Sequence, residues 1–217
     1  MANYEYIISS LPVLCRDWKA SQGLDIEGTL AFIRSQLSAS DVLLLDQVLS
    51  GFDEASLDER FYRIALGERP RRKDVFAANE QEPLPKVNAF VKGYFAFDLR
   101  VRNEKVRFLN KALGRPLEQD IFLECEGEFP EREKVQAVLA QGDILARERG
   151  LDEVMWDKAV GLATFHYFDI DALLSFVVRL KIIHRWLRLD EKTGQELFRR
   201  LVQEVRGTFK GVEFTDN

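Results

Sequence analysis

The chain has 217 residues, of which 46% are apolar and 31% charged, with a net charge of −5 at neutral pH. These values fit a globular fold with a sizeable core and exclude a disordered chain. The acidic balance excludes nucleic-acid binding driven by the charge of the molecule as a whole, and no window approaches the ~20 consecutive apolar residues that a spanning helix needs.

The opening MANYEYIISSLPVL lacks a basic n-region, and Ser and Pro break its apolar run, so no secretory signal is expected. Cys15 and Cys125 are lone thiols in unlike settings, and a cytoplasmic protein with reduced thiols is predicted. Residues 4–14 read as a short strand or a buried first turn closed by Pro12. From Asp25, Ile26, Leu30, Ile33 and Leu37 recur at helical spacing. Ser40 is the expected cap of a second helix with Val42, Leu45 and Leu49, ended by Gly51. Ser56 is the expected start of a third, with Leu57, Phe61, Ile64 and Ala65 on one side and Gly67 after it.

Residues 68–85 (ERPRRKDVFAANEQEPLP) carry three prolines and no clear period. They divide the chain into an N-terminal helical part, 1–68, and a C-terminal helical part, 84–210, as two units or as one domain joined by a linker at 69–83. A long helix follows, with Pro85 in its first turn and Gly114 and Pro116 at its end. Phe90, Tyr94, Phe97, Val101 and Phe108 form one apolar row, and Phe95, Leu99, Val106, Leu109 and Leu113 a second. Together they suit packing between two other helices. Arg102 and Lys105 interrupt the rows, and Asp98 is the near ion-pair partner of Arg102.

Beyond an irregular acidic stretch at 117–129, Pro130 opens a helix holding Val135, Val138, Leu139, Ile144 and Leu145, which Gly150 separates from a short one at 151–163. Asp169 or Asp171 caps a helix running through Trp186, and Asp190 caps the last, with Leu197, Leu201 and Val205 inward. The sum is an all-α fold of about seven or eight helices in a bundle-like arrangement. A weak internal repeat aligns Phe95 with Phe176, Leu99 with Leu180, Val101 with Ile182 and Val106 with Leu187 at an offset of 81. Chance similarity between amphipathic helices and true duplication both account for it.

Charge is spread in blocks. Residues 98–115 carry six Lys/Arg against two acids, while 41–59 hold six acids and no base, and 118–133 seven acids and one Arg. Such blocks pair internally or face partners of opposite sign. On the long helix Lys92, Arg100, Arg107 and Lys111, with Asn103 between them, recur at spacings expected to keep them on one outward side, and they form the candidate partner-binding set.

Catalytic and metal chemistry find little footing. EKTG at 191–194 lacks the strand and glycine spacing of a phosphate loop. His166 near Asp169 and Asp171 has the residue types of a metal site, but Asp171 reads as a helix cap. Glu124, Glu126 and Glu128 around Cys125 read as a solvated acidic loop in which a thiolate is disfavoured. The run Arg69, Arg71, Arg72, Lys73 has only Phe76 as a nearby aromatic, too few for nucleic-acid stacking. No catalytic residue, metal ligand or cofactor is predicted.

YFAFDLRVRNEKVRFLNKALG (94–114) resembles the helical segments of the C-type stalk component of archaeal-type ATPases, the relative of the d-type component of vacuolar ATPases, with Asp98, Leu99, Asn103, Lys105, Phe108 and Leu109 at the matching positions. LLSFVVRLKIIHRWLRLDEKTGQELFRRLV (173–202) is similar to that family's last helical pair. The opening MANYEYIISSLPVL resembles an uncharacterised bacterial family, mostly from Bacteroidetes, encoded among V-type ATPase genes. The resemblance implies a non-catalytic structural or accessory component of a rotary ATPase. It would need no cofactor, would join the central-stalk proteins and the proteolipid ring on the cytoplasmic membrane face, and would pass torque between them during proton or sodium transport. The alternative is a free cytosolic helical adaptor or regulatory protein with no link to the ATPase.

Overall fold

The computed structural model describes residues 4–68, 87–124, 127–189 and 199–200. Among them the regular elements are all helical: α1 (Glu5–Ser10), α2 (Ile26–Gln36), α3 (Ala39–Ser50), α4 (Glu59–Leu66), α5 (Ala89–Ala112), α6 (Arg132–Leu139), α7 (Ile144–Leu162) and α8 (Ile170–Arg188). Short 3₁₀ turns stand at Trp18–Ser21 and Glu54–Ser56. The all-α expectation holds.

Helix α5 runs through the middle because it is apolar on more than one side. Phe90, Val91, Tyr94, Phe95, Phe97, Leu99 and Val101 are all buried, packed among α4, α6 and α7. Phe95 meets Phe61 of α4 edge-on at 4.9 Å and its own neighbour Tyr94 at 5.4 Å. Arene edges against faces complement the ring quadrupoles as well as removing area from water. Helix α8 is the second core element, lying against α7, α3, α2 and the first 3₁₀ turn. From that turn Trp18 packs on Trp156 of α7 at 5.5 Å and on Trp186 of α8 at 6.4 Å. Because α3 packs on α8 and α4 on α5, the two parts on either side of residues 69–83 share one core. The residues 69–83 themselves lie outside the described residues.

Several boundaries differ from the sequence expectation, each for a local reason. Residues 5–10 are helical, and the extended Leu11 ends the turn before Pro12. Ser38, not Ser40, caps α3, since its extended backbone aims the hydroxyl at the N–H of Asp41 three residues on. Asp58, not Ser56, caps α4, with its carboxylate accepting from Phe61 N at 2.7 Å. A charged oxygen is the stronger acceptor for an orphan helix N–H. At the far end Gly67 takes φ +77°, the left-handed conformation that side chains resist. Asn88 caps α5; Pro85 is outside the described residues, as are Asp190, Leu197, Leu201 and Val205.

Gly150 departs further from expectation. It does not separate two helices: α7 runs through it from Ile144 to Leu162, and the break falls earlier, where Asp143 caps with bonds from Leu145 N and Ala146 N. A Cβ at Gly150 would stand 2.7 Å from Val138 Cγ1, so this glycine permits close approach of α6 rather than stopping a helix. Ile144 and Leu145, expected inward, are exposed.

Candidate partner-binding site

The five candidate residues of α5 do not share one outward side. Lys92 and Lys111 are exposed, near opposite ends of the helix. Arg100, Asn103 and Arg107 come together around a polar pocket of about 180 Å³ that Glu104, Phe129 and Arg132 help to line. Asn103 is 3% exposed, and its Nδ2 donates to Leu123 O at 2.8 Å. The cause is residues 117–123 of the acidic stretch, which fold back along this side of α5. Asn110 Nδ2 donates to Gln119 O at 2.7 Å, and Arg107 Nη2 to Glu118 Oε2 at 3.0 Å. Glu118 holds Arg107 above the usual guanidinium range, and Arg107 in return lowers the Glu118 carboxyl.

Glu104 is a hub that the sequence pattern does not single out. It is 3% exposed, accepts from Arg107 Nη1 at 3.0 Å and Gln136 Nε2 at 3.0 Å, and is ion-paired with Arg132, whose Nε lies 3.1 Å away. Three partners around one buried carboxylate replace the water it has lost. Its one signal in the sequence is its place as a lone acid three residues before Arg107. The expected Asp98–Arg102 pair forms at 2.8 Å, and Asp98 also accepts from the buried Tyr62 hydroxyl, whose pKa burial and Asp98 push well up.

A second concavity, about 530 Å³, opens where α5, α7 and α8 meet beside the second 3₁₀ turn. Val101, Leu151 and Ile182 supply apolar lining, while Arg102 and Lys105 from α5 and Lys181 and Arg185 from α8 supply cations. Arg185 is tied down: Nη1 donates to Asp152 Oδ2 at 2.8 Å, and Nη2 pairs with Glu148. Asp152 also accepts from Trp186 Nε1 at 2.8 Å, yet its burial outweighs these partners and raises its pKa. Among the described residues Lys105 and Lys181 make no ion pair. Lys181 Nζ lies 5.9 Å from the Phe52 ring centroid, and burial, then Arg188, lowers its pKa. Glu54, Asp98, Glu148 and Asp152 line the same concavity, and the charge of Lys105 favours the ionised forms of Glu148 and Asp152. Outside the ion pairs, the two ammonium groups can also take carboxylates from a docked surface. The sequence shows Arg102 and Lys105 interrupting an apolar row, but not that α8 brings Lys181 and Arg185 to the same cleft.

Of the remaining candidates, Glu124 lines the smaller pocket and the other described ones stay apart from both sites. His166 Nδ1 lies 2.6 Å from Asp169 Oδ2, and Asp169, not Asp171, caps α8. Asp171 instead accepts from Asn88 Nδ2 at 2.6 Å, linking the starts of α5 and α8. Among the described residues no group of three or more His, Cys, Asp or Glu is arranged to hold a metal ion. Cys15, Glu124 and Glu128 are exposed. Cys125, Glu126, the run Arg69, Arg71, Arg72, Lys73 and the stretch 191–194 are outside the described residues.

Neither a curated protein nor a solved structure matches the chain. One family model does, over residues 80–208, which takes in α5 to α8. It includes the whole lining of the smaller pocket and the α5, α7 and α8 walls of the larger concavity, whose Gly51, Phe52, Glu54 and Leu57 lie outside the match. That match covers more than half of the sequence, and the chain belongs to this family, described as protein of unknown function (DUF2764).

Proposed function

We propose that the protein is a non-catalytic component of a V-type rotary ATPase, similar to the C-type stalk component, that joins the central stalk to the proteolipid ring in proton or sodium transport. The observation that carries this reading is the charged cleft, in which Lys105 and Lys181 stand outside the ion pairs. The segments 94–114 and 173–202, which carry the resemblance, contribute α5 and α8, and both helices line that cleft. A part that transmits torque must hold its docking faces in fixed orientation. Here the ion-paired Glu104 hub and the aromatic packing of α5 resist rotation of one helix against another. No helix among the described residues is long and apolar enough to cross a membrane, so attachment to the ring would run through protein contacts.

The test is assembly in the native host. The protein should co-purify with the peripheral proteins of the ATPase from native membranes, and its deletion should leave ATP hydrolysis while uncoupling it from ion transport. Lys105→Gln with Lys181→Gln should keep the fold and lose assembly, because neither lysine makes a close ion pair among the described residues and Lys105 acts on Glu148 and Asp152, which Arg185 also holds, only at longer range. A deletion strain that keeps coupled transport would overturn the reading in favour of a free helical adaptor.

A further inference from the structure

Away from the charged cleft, α8 carries an arginine with an unusual set of neighbours. Arg179 Nε donates to Ser175 O at 3.2 Å, and its guanidinium carbon lies 5.5 Å from the Trp156 ring centroid. Among the described residues it makes no ion pair. Burial pulls its pKa below the usual guanidinium range with no carboxylate opposing. A half-buried guanidinium with most of its five N–H donors uncommitted is costly, and a carboxylate in its plane relieves that cost.

Arg179 lines a cleft of about 440 Å³ between residues 8–14 and the turn joining α7 to α8. The walls are apolar, with Leu11, Val13, Val160, Tyr167 and Phe176, and no acidic residue lines the cleft. Its other basic group, His166, is already held by Asp169. Of its walls Val13 is 96% exposed and Tyr167 67%, and Phe165, in the turn that bounds the cleft, is 85% exposed. Large apolar side chains left in water beside the Arg179 cation mark contact with another protein.

We propose that this cleft docks an apolar segment of a partner protein, one of whose carboxylates pairs with Arg179. The apolar side chains of the segment cover Val13, Phe165 and Tyr167, and the carboxylate meets the guanidinium from the open side, opposite Trp156. The proposal stands apart from the ATPase reading, which rests on the other cleft, so each can fail without the other.

The probe is a set of nine-residue peptides rich in Leu and Phe with one central Glu, each matched by a peptide with Gln in its place. They are titrated calorimetrically into the full chain. The Glu peptides should bind about tenfold or more tightly than their Gln partners, the range expected for a charge-assisted pair in a partly dry site. Arg179→Met should abolish that difference and keep the fold, since it removes a cation that has no internal counter-charge. Val13→Glu, at a fully solvated position that cannot affect folding by packing, should weaken the Glu peptides selectively. Equal binding of Glu and Gln peptides, or a preference that survives Arg179→Met, would overturn the proposal. So would octanoate that saturates the cleft and is displaced by no peptide, which would assign it to small carboxylic acids. Dimerisation of the wild type that Arg179→Met abolishes would assign it to a second copy of the chain and overturn it likewise.

Discussion

Helices α5 and α8 bury matching positions but hold several of their bases differently. At an offset of 81, Phe95 and Phe176, Leu99 and Leu180, and Val101 and Ile182 are buried in both. On α5, Arg102 is paired with Asp98, and Arg107 with Glu104 and Glu118. On α8, Arg179 lies over Trp156 and Lys181 over Phe52, and neither has a carboxylate among the described residues. A cation over a ring gains attraction but keeps most of its donors free. The pairs on α5, like that of Arg185 on α8, therefore serve to fix the fold, whereas Arg179 and Lys181 remain available to something outside it.

The largest expected effects test the shared half of this comparison. Phe95→Ala should destabilise by about 3–5 kcal/mol, because Phe61 and Tyr94 enclose the ring and leave a cavity that cannot collapse. Phe176→Ala should cost about 2–3 kcal/mol, since that side chain lines the Arg179 cleft and the gap opens toward solvent. Urea denaturation measures both. Equal losses would mean that the α8 site is as enclosed as the α5 one.

Next comes the Glu104 hub. Glu104→Ala removes the carboxylate shared by Arg107, Arg132 and Gln136 and should cost about 2–3 kcal/mol, below the full value for a buried pair because Arg107 keeps Glu118 and Arg132 reaches water. The hub also alters what charge reversal at Arg107 would report. Arg107→Glu would face Glu104 and Glu118 at once and disturb the fold, so it cannot isolate docking. A smaller contrast is sharper. Arg102→Met should cost about 1 kcal/mol by leaving Asp98 with Tyr62 alone, whereas Arg179→Met should be neutral or stabilising. If Arg179→Met is the more damaging of the two, α8 has an internal partner for its arginine and the comparison fails.

What is legible in the sequence follows from the range of the forces involved. The periodicity of Ile26, Leu30 and Ile33, the Asp98–Arg102 pair and the Asp169 cap are contacts within four residues, and each is present. The core half of α5 is legible for the same reason. Its second half is not: Leu109 and Leu113, expected inward, are exposed, and Asn103, expected outward, is buried. Burial there is decided by the chain at 117–123 turning back onto α5, a contact from outside the helix that helical period cannot register. Gly150 misleads because a glycine that admits a neighbouring helix looks identical, in sequence, to one that ends its own. Both clefts depend on how α5, α7 and α8 assemble, and neither Lys181 beside Lys105 nor Arg179 beneath Val13 has a local signature.

The smallest effect concerns the rim of the Arg179 cleft, where the turn before α8 has a base held by the acid that caps the helix. The hydrogen bond to Asp169 raises the His166 pKa, with burial opposing it and the charges of Asp169 and Asp171 adding to the rise. A histidine whose folded pKa lies above its unfolded value of about 6.5 contributes stability that is complete below that value. The contribution disappears as pH climbs through the folded pKa. His184 has the opposite sense: burial, Lys181 and Arg188 lower its pKa, so its share of stability grows as pH rises. The wild-type profile sums the two, and the informative quantity is its difference from His166→Gln. That variant leaves Asp169 accepting from Asp171 N and Ala172 N, so the α8 cap survives. Melting temperatures taken from about pH 5.5 to 8.5 should show wild type above the variant at the acid end and the two converging at the alkaline end. The gap should be small, because the His166 side chain is a third exposed and solvent screens the pair. Parallel profiles would mean that the helix N-terminus alone satisfies Asp169, and would leave the rim of the cleft without a titrating group.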